Sequence, residues 1–249
     1  MLLAIDVGNT QTVLGLFEGE RLGEQFRVAT NRSQTSDELG VTLRAFVDFE
    51  ELEGIVICSS VPALVREYEA FAERWAGADL LVVGPGVATG IAIRYDDPRE
   101  VGPDRIANAV AVRARHGAPA VVVDFGTSTN FDVVNAAGDF AGGVLAPGIE
   151  ISMDALFARA ARLPRVPFVA PATVISQTTT AALQSGLVYS FAGQVDAIVE
   201  RIRAELGATG APVVATGGLA DLIAPHTRTI TAVDAELTLH GLRLVWERN

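Results

Sequence analysis

At 249 residues the chain is long enough to bury a substantial core, as one large domain or two intimate lobes. A formal charge of −11 argues against nucleic acid as the main partner, because phosphate backbones are bound by clustered cations. All 19 basic residues are arginine, which excludes a Walker lysine, a Schiff-base lysine and the kinase β3 lysine as sources of chemistry.

Hydrophobic residues make up 49% and charged residues 20%, the balance of a soluble α/β protein rather than a disordered one. No run of about 18 apolar residues occurs, and no basic flank or cleavage site precedes the first strand, so a cytoplasmic location with no membrane contact is expected. Cys58 is the only cysteine and lies in the apolar run 54–60, where it reads as a small buried hydrophobe.

In chain order, apolar alternation predicts strands near 2–6, 12–18 and 21–28, a helix at 36–47, a strand at 55–58, a helix at 62–76 and a strand at 80–83. Pro62 suits the first turn of its helix. A helix from Ile106 to His116 follows, with Asp104 expected as its N-cap. Arg105 then places a cation at the positive helix end, a position that calls for a compensating anion, either a structural carboxylate or one on a substrate. The second half repeats the three-strand start near 120–124, 129–135 and 140–145. Helices at 149–162 and 178–206, a strand at 212–216, a short helix at 219–224 and an amphipathic helix at 236–248 complete it. Two lobes are expected, 1–118 and 119–249.

Two stretches share one plan. An apolar strand ends in Asp6-Val7-Gly8-Asn9-Thr10 and resumes at Thr12; 118 residues later another ends in Asp124-Phe125-Gly126-Thr127-Ser128 and resumes at Asn130. Each delivers a carboxylate to a strand end, and the glycine lets backbone N–H groups face an anion. Either copy alone is also an ordinary hairpin, but the repetition points to duplicated lobes holding a nucleotide triphosphate between them. Gly217-Gly218, after a buried strand, is a third turn where adenine or ribose can approach the backbone.

An ionised Asp104 can accept a proton from a hydroxyl that attacks phosphorus. The simpler reading of Asp104, and of Thr178-Thr179-Thr180, is helix capping. His116, His226 and His240 lack metal-binding spacing.

Through Asp6–Thr10, Gly102-Pro103-Asp104-Arg105, Asp124–Thr127, Gly142–Gly148 and Ala215–Ala220, the chain resembles the type III pantothenate kinase family from end to end. The resemblance implies two ribonuclease-H-like lobes of the actin, hexokinase and heat-shock-chaperone ATPase fold, and ATP-dependent phosphorylation of pantothenate in coenzyme A biosynthesis. By position it implies ATP contacts at Asp6, Val7, Gly8, Asn9, Thr10, Gln11, Thr12, Val13 and Thr127, besides the turn at Gly217 and Gly218. Asp6 would point toward Mg²⁺-bound phosphates and Asp124 would hold a monovalent cation, K⁺ or NH₄⁺. Asp104 would be the proton acceptor, and Tyr95, Gly102, Pro103 and Arg105 would bind pantothenate. Thr179 would reach the neighbouring subunit's site, implying a homodimer built through its helix.

Pro103 stands where alanine is common in the family, and Ser128 and Asn130 where a smaller or threonine-rich loop is common; altered stiffness or hydrogen bonding is expected there. The competing readings are a kinase for another small hydroxyl or carboxylate substrate, a non-catalytic regulatory relative, and a phosphatase or ATPase with water as acceptor.

Overall fold

A computed structural model describes residues 1–160 and 162–249. The chain resolves into two compact units, Met1–Ala114 with Glu236–Asn249, and Arg115–Ala235.

In the first unit, β1 (Leu2–Val7), β2 (Gln11–Glu18) and β3 (Arg21–Ala29) form an antiparallel meander. β4 (Gly54–Ser59) and β5 (Asp79–Val82) add in parallel, giving the order β3-β2-β1-β4-β5. β1 and β4 are central and read as near-continuous apolar runs, as strands covered on both faces must. β3 lies at the edge and alternates between half-buried and exposed.

Helix α1 (Ser36–Leu43) starts in a capping box, with the Thr35 hydroxyl accepting from Glu38 N while the Glu38 carboxylate accepts from Thr35 N. It ends four residues before the expected position 47. Pro62 opens α2 (Pro62–Phe71), where its missing N–H costs nothing. A single π-type stretch, Ala72–Ala76, carries the rest of the expected helix and stops at Gly77, which is left-handed. α3 (Pro103–His116) begins three residues before the expected Ile106.

In the second unit, β6 (Ala120–Phe125), β7 (Ser128–Val134) and β8 (Phe140–Pro147) form another antiparallel meander. β9 (Val213–Thr216) and β10 (Ala232–Val233) join in parallel. The order β10-β9-β6-β7-β8 repeats that of the first sheet element for element. β10 spans two residues, too few for an alternation pattern, and was not expected from the sequence.

α4 (Ile149–Arg159) and α5 (Thr179–Leu206) follow β8, and α6 (Ala220–Ile223) follows β9. The expected extension of α4 to 162 passes through Ala161, outside the described residues. α5 packs Leu187, Phe191, Val195, Val199 and Ile202 into the second core.

The closing helix α7 (Leu237–Trp246) corrects the expected division at 118, because it belongs to the first unit. Its buried Leu237, Leu239, Leu242 and Val245 contribute roughly 1.5–3 kcal/mol each. Glycines in the first sheet make room for it: a Cβ at Gly15 would lie 2.8 Å from Leu239 Cδ1, and one at Gly54 2.2 Å from the Trp246 indole. Periodicity shows that such a helix has an apolar face, but not which sheet that face covers. Among the described residues no helix is long and apolar enough to cross a membrane.

Candidate active site

In the first unit, the parallel register of β1 and β4 sets Asp6 beside Cys58 and Val7 beside Ser59. The Cys58 thiol is fully buried and donates to Asp6 Oδ1 at 3.3 Å. Burial pushes the thiol well above its ordinary range, and the negative charges of Asp6 and Asp104 add to that. Cys58 therefore stays protonated and serves as a donor, so the expectation of a buried small side chain holds and its bond to Asp6 is an addition to it.

The loop after Asp6 is tight, with Gly8 N donating to Gln11 O at 3.1 Å. A Cβ on Gly8 would stand 2.8 Å from that same oxygen. The end of β3 braces the loop. Thr30 Oγ1 donates to Gly8 O at 2.7 Å and lies 2.9 Å from Thr12 Oγ1, while Thr30 N donates to Thr10 O at 2.9 Å. Arg32 reaches Asn9 Oδ1 at 3.0 Å, and Arg27 reaches Gln11 Oε1 at 2.8 Å. Asn9 and Thr10 are exposed at the tip, Val13 is half-buried and Thr12 is buried.

Asp104 sits inside the first turn of α3 and not at its N-cap, a correction that follows from Pro103 taking the first helical position. The proline departure thus fits, since its fixed φ suits that position. Asp104 Oδ1 accepts from Arg105 N at 2.9 Å, and Oδ2 accepts from the Ser60 hydroxyl at 3.3 Å. A Cβ on Gly102 would come within 2.5 Å of Asp104 Oδ1, so a side chain there would push the carboxylate out of this position. Arg105 is buried, whereas Tyr95 is half-buried in the irregular stretch before α3. One unit alone therefore gathers Asp6 and Asp104 around the end of β4.

The second unit gathers the other loop. β6 delivers Asp124 opposite Thr216 on β9, and Gly126 N donates to Ser128 O at 3.0 Å to close the turn. Gly217 has a left-handed φ of 88°, and a Cβ there would lie 2.6 Å from both Asp124 Oδ1 and Phe125 O. Gly148, the residue before α4, packs so closely that a Cβ would stand 2.1 Å from Thr127 O. Thr127 itself is exposed, as is Gly218. Ser128 Oγ donates to Asn130 Oδ1 at 2.6 Å, so the two departures in this loop satisfy each other. Thr178 caps α5 by accepting from Ala181 N at 3.2 Å, leaving Thr179 exposed at the first helical position.

Sequence reasoning missed Cys58, Ser60, Thr30 and Gly148 as partners of the loops. The one available signal was the apolar run 54–60 ending in Cys-Ser-Ser, since a parallel neighbour of β1 must end near Asp6.

Two sheets of identical strand order, each turning an Asp out of a buried strand into a glycine loop, define the actin-like ATPase fold. The activator of the 2-hydroxyisocaproyl-CoA dehydratase from Clostridium difficile, solved with bound ADPNP, shares it, with a TM-score of 0.56 at 12% identity over 99% of this chain and 95% of that one. A sequence model of type III pantothenate kinase matches residues 2–201. The type III pantothenate kinase of Acidothermus cellulolyticus is 53% identical over 100% of this chain and 99% of its own length. That of Moorella thermoacetica is 52% identical over 100% of both. The chain belongs to the type III pantothenate kinase family.

Proposed function

We propose that the protein transfers the γ-phosphoryl group of ATP to the primary hydroxyl of pantothenate, with Asp104 taking the hydroxyl proton. The product is 4'-phosphopantothenate, in the first step of coenzyme A biosynthesis. The hydroxyl oxygen forms the new bond to phosphorus, the bond from phosphorus to the β-phosphate oxygen breaks, and ADP leaves. The observation that carries the role of Asp104 is its carboxylate geometry. Both oxygens face donors, Arg105 N and Ser60 Oγ, which hold the carboxylate in one orientation, as a proton acceptor requires.

Around that base, Gly102, Pro103, Arg105 and Tyr95 are proposed to orient pantothenate. The backbone of 6–13 and Thr127 are proposed to bind ATP phosphates, and the Gly217-Gly218 turn the adenosine. With no lysine in the chain, charge on the phosphates falls to backbone N–H groups, arginine and cations.

Asp6, at the end of β1 beside the first loop, would stand near Mg²⁺ carried in on ATP, which keeps phosphate and water oxygens as its other ligands. Bound there, Mg²⁺ would neutralise charge developing on the transferred phosphoryl group. Asp124 Oδ1 and the Phe125 carbonyl lie together beside Gly217, a hard-oxygen donor set that fits K⁺ or NH₄⁺.

A homodimer in which Thr179 serves the neighbouring site is proposed from the family position of that residue. It is supported by the exposed Leu145, Ile151, Val169, Val174 and Ile175 of the second unit. A cytoplasmic location agrees with the composition.

The test is ADP release from MgATP with and without pantothenate, in potassium and in sodium. Turnover requiring pantothenate and potassium is expected. ATP loss without pantothenate would point to water as acceptor, and turnover only with a different hydroxyl or carboxylate acceptor would redefine the substrate. A chain with no turnover on any acceptor would be a regulatory relative. Asp104→Asn is expected to fold, to bind ATP and to lose at least about a thousandfold in kcat; near-normal turnover would falsify the base assignment.

A further inference from the structure

We infer that Ser60 is a positioning residue for Asp104, so that the end of β4 fixes the orientation of the base. The inference rests on Asp104 being the proton acceptor. It is drawn from three observations within one unit.

Ser60 is itself anchored, since its backbone N donates to Val7 O at 2.9 Å and so ties the residue to the end of β1. The turn behind it is locked by Ser59, whose hydroxyl donates to Val61 O at 3.0 Å and accepts from Val61 N at 3.1 Å. From that fixed point the Ser60 hydroxyl donates to Asp104 Oδ2, while Arg105 N holds Oδ1. A carboxylate held at one oxygen can still rotate about its side-chain bonds; held at both, it keeps one plane and presents its free lone pairs in one direction. The 3.3 Å separation is longer than a tight charge-assisted bond.

Two further features single out this hydroxyl. The neighbouring donor on the same strand, the Cys58 thiol, is already committed to Asp6. A Cβ on Gly102 would lie 2.5 Å from Asp104 Oδ1, so a side chain there would displace the carboxylate from the orientation it holds. The Ser60 hydroxyl thus holds Oδ2. It touches neither reacting atom and acts through Asp104.

The experiment compares wild type, Ser60→Ala, Ser60→Thr and Asp104→Asn as full chains, following kcat and KM for both substrates. Ser60→Ala is expected to lower kcat roughly tenfold with KM for ATP and pantothenate little changed. Ser60→Thr, which keeps the hydroxyl, is expected to restore kcat. An unchanged kcat in Ser60→Ala, or a loss that Ser60→Thr does not restore, would overturn the inference while Asp104→Asn remains inactive. Near-normal turnover of Asp104→Asn would instead overturn the base reading, and the inference with it.

Discussion

Between Val7 and Gln11 three residues turn the chain, whereas between Phe125 and Ser128 two residues do the same work. The sequences invite a constant spacing of 118 that pairs Thr10 with Ser128. The strand registers place the counterparts elsewhere: Thr12 lies opposite Val7, and Thr129 opposite Phe125. Both of these threonines are buried, while Thr10 is an exposed loop residue and Ser128 begins a strand.

The extra residue also changes how each loop is held. The longer loop presents its carbonyls outward, and the end of β3 catches them with Thr30. At the shorter loop two glycines let neighbouring backbone close in, Gly148 against Thr127 and Gly217 against Asp124 and Phe125. A side-chain brace can be trimmed, but a backbone contact can only be overfilled, so the loops should differ sharply in what they tolerate.

The largest effect is expected at the shorter loop. Gly148→Ala and Gly217→Ala each drive a methyl group into backbone oxygen, and Gly217 adds a left-handed φ that an L side chain resists. Each is expected to cost at least about 3 kcal/mol, or roughly 6–12 °C in Tm, with more than a hundredfold loss of turnover. Gly148 has an ordinary extended backbone, so comparing the two separates overfilling from strain. Survival of both with native melting temperatures would remove the distinction between the loops.

A smaller effect is expected at the longer loop. Thr30→Val keeps the shape but deletes the bonds to Gly8 O and Thr12. The expected cost is about 1–2 kcal/mol, with KM for ATP raised up to roughly tenfold and kcat little changed. A loss as large as that of Gly148→Ala would show that the brace organises more than one loop.

Much of this was legible before the structure. The strands announced themselves because β1, β4 and β6 are unbroken apolar runs ending in Asp or Cys-Ser. Pro62 and Gly77 marked where helical structure begins and stops. What the sequence did not reveal were contacts between residues far apart along the chain, such as Thr30 with Gly8, Ser60 with Asp104 and Gly148 with Thr127. Periodicity reports which face of an element is buried and carries no information on the partner. For that reason periodicity does not show that α7 joins the first unit, and the constant spacing of 118 does not show that Thr12 and Thr129 are the counterparts.

The smallest effect is the most diagnostic, because the sequence treats Gly8 and Gly126 as equivalent. A Cβ at Gly8 would collide with Gln11 O at 2.8 Å, whereas at Gly126 it would meet Asp124 Oδ1 at 3.7 Å and Ser128 O at 3.8 Å, ordinary packing distances. Neither glycine has a left-handed φ. Gly126→Ala should therefore leave Tm within about 2 °C of wild type, while Gly8→Ala costs about 1–3 kcal/mol. The fold thus requires the first glycine and merely permits the second. If Gly126 has a duty, it is to leave its N–H approachable by an anion, a role that a methyl group obstructs without touching stability. KM for ATP in Gly126→Ala is accordingly expected to rise several-fold at unchanged Tm. An unchanged KM would mean that the glycine of the second loop serves neither the fold nor the phosphate.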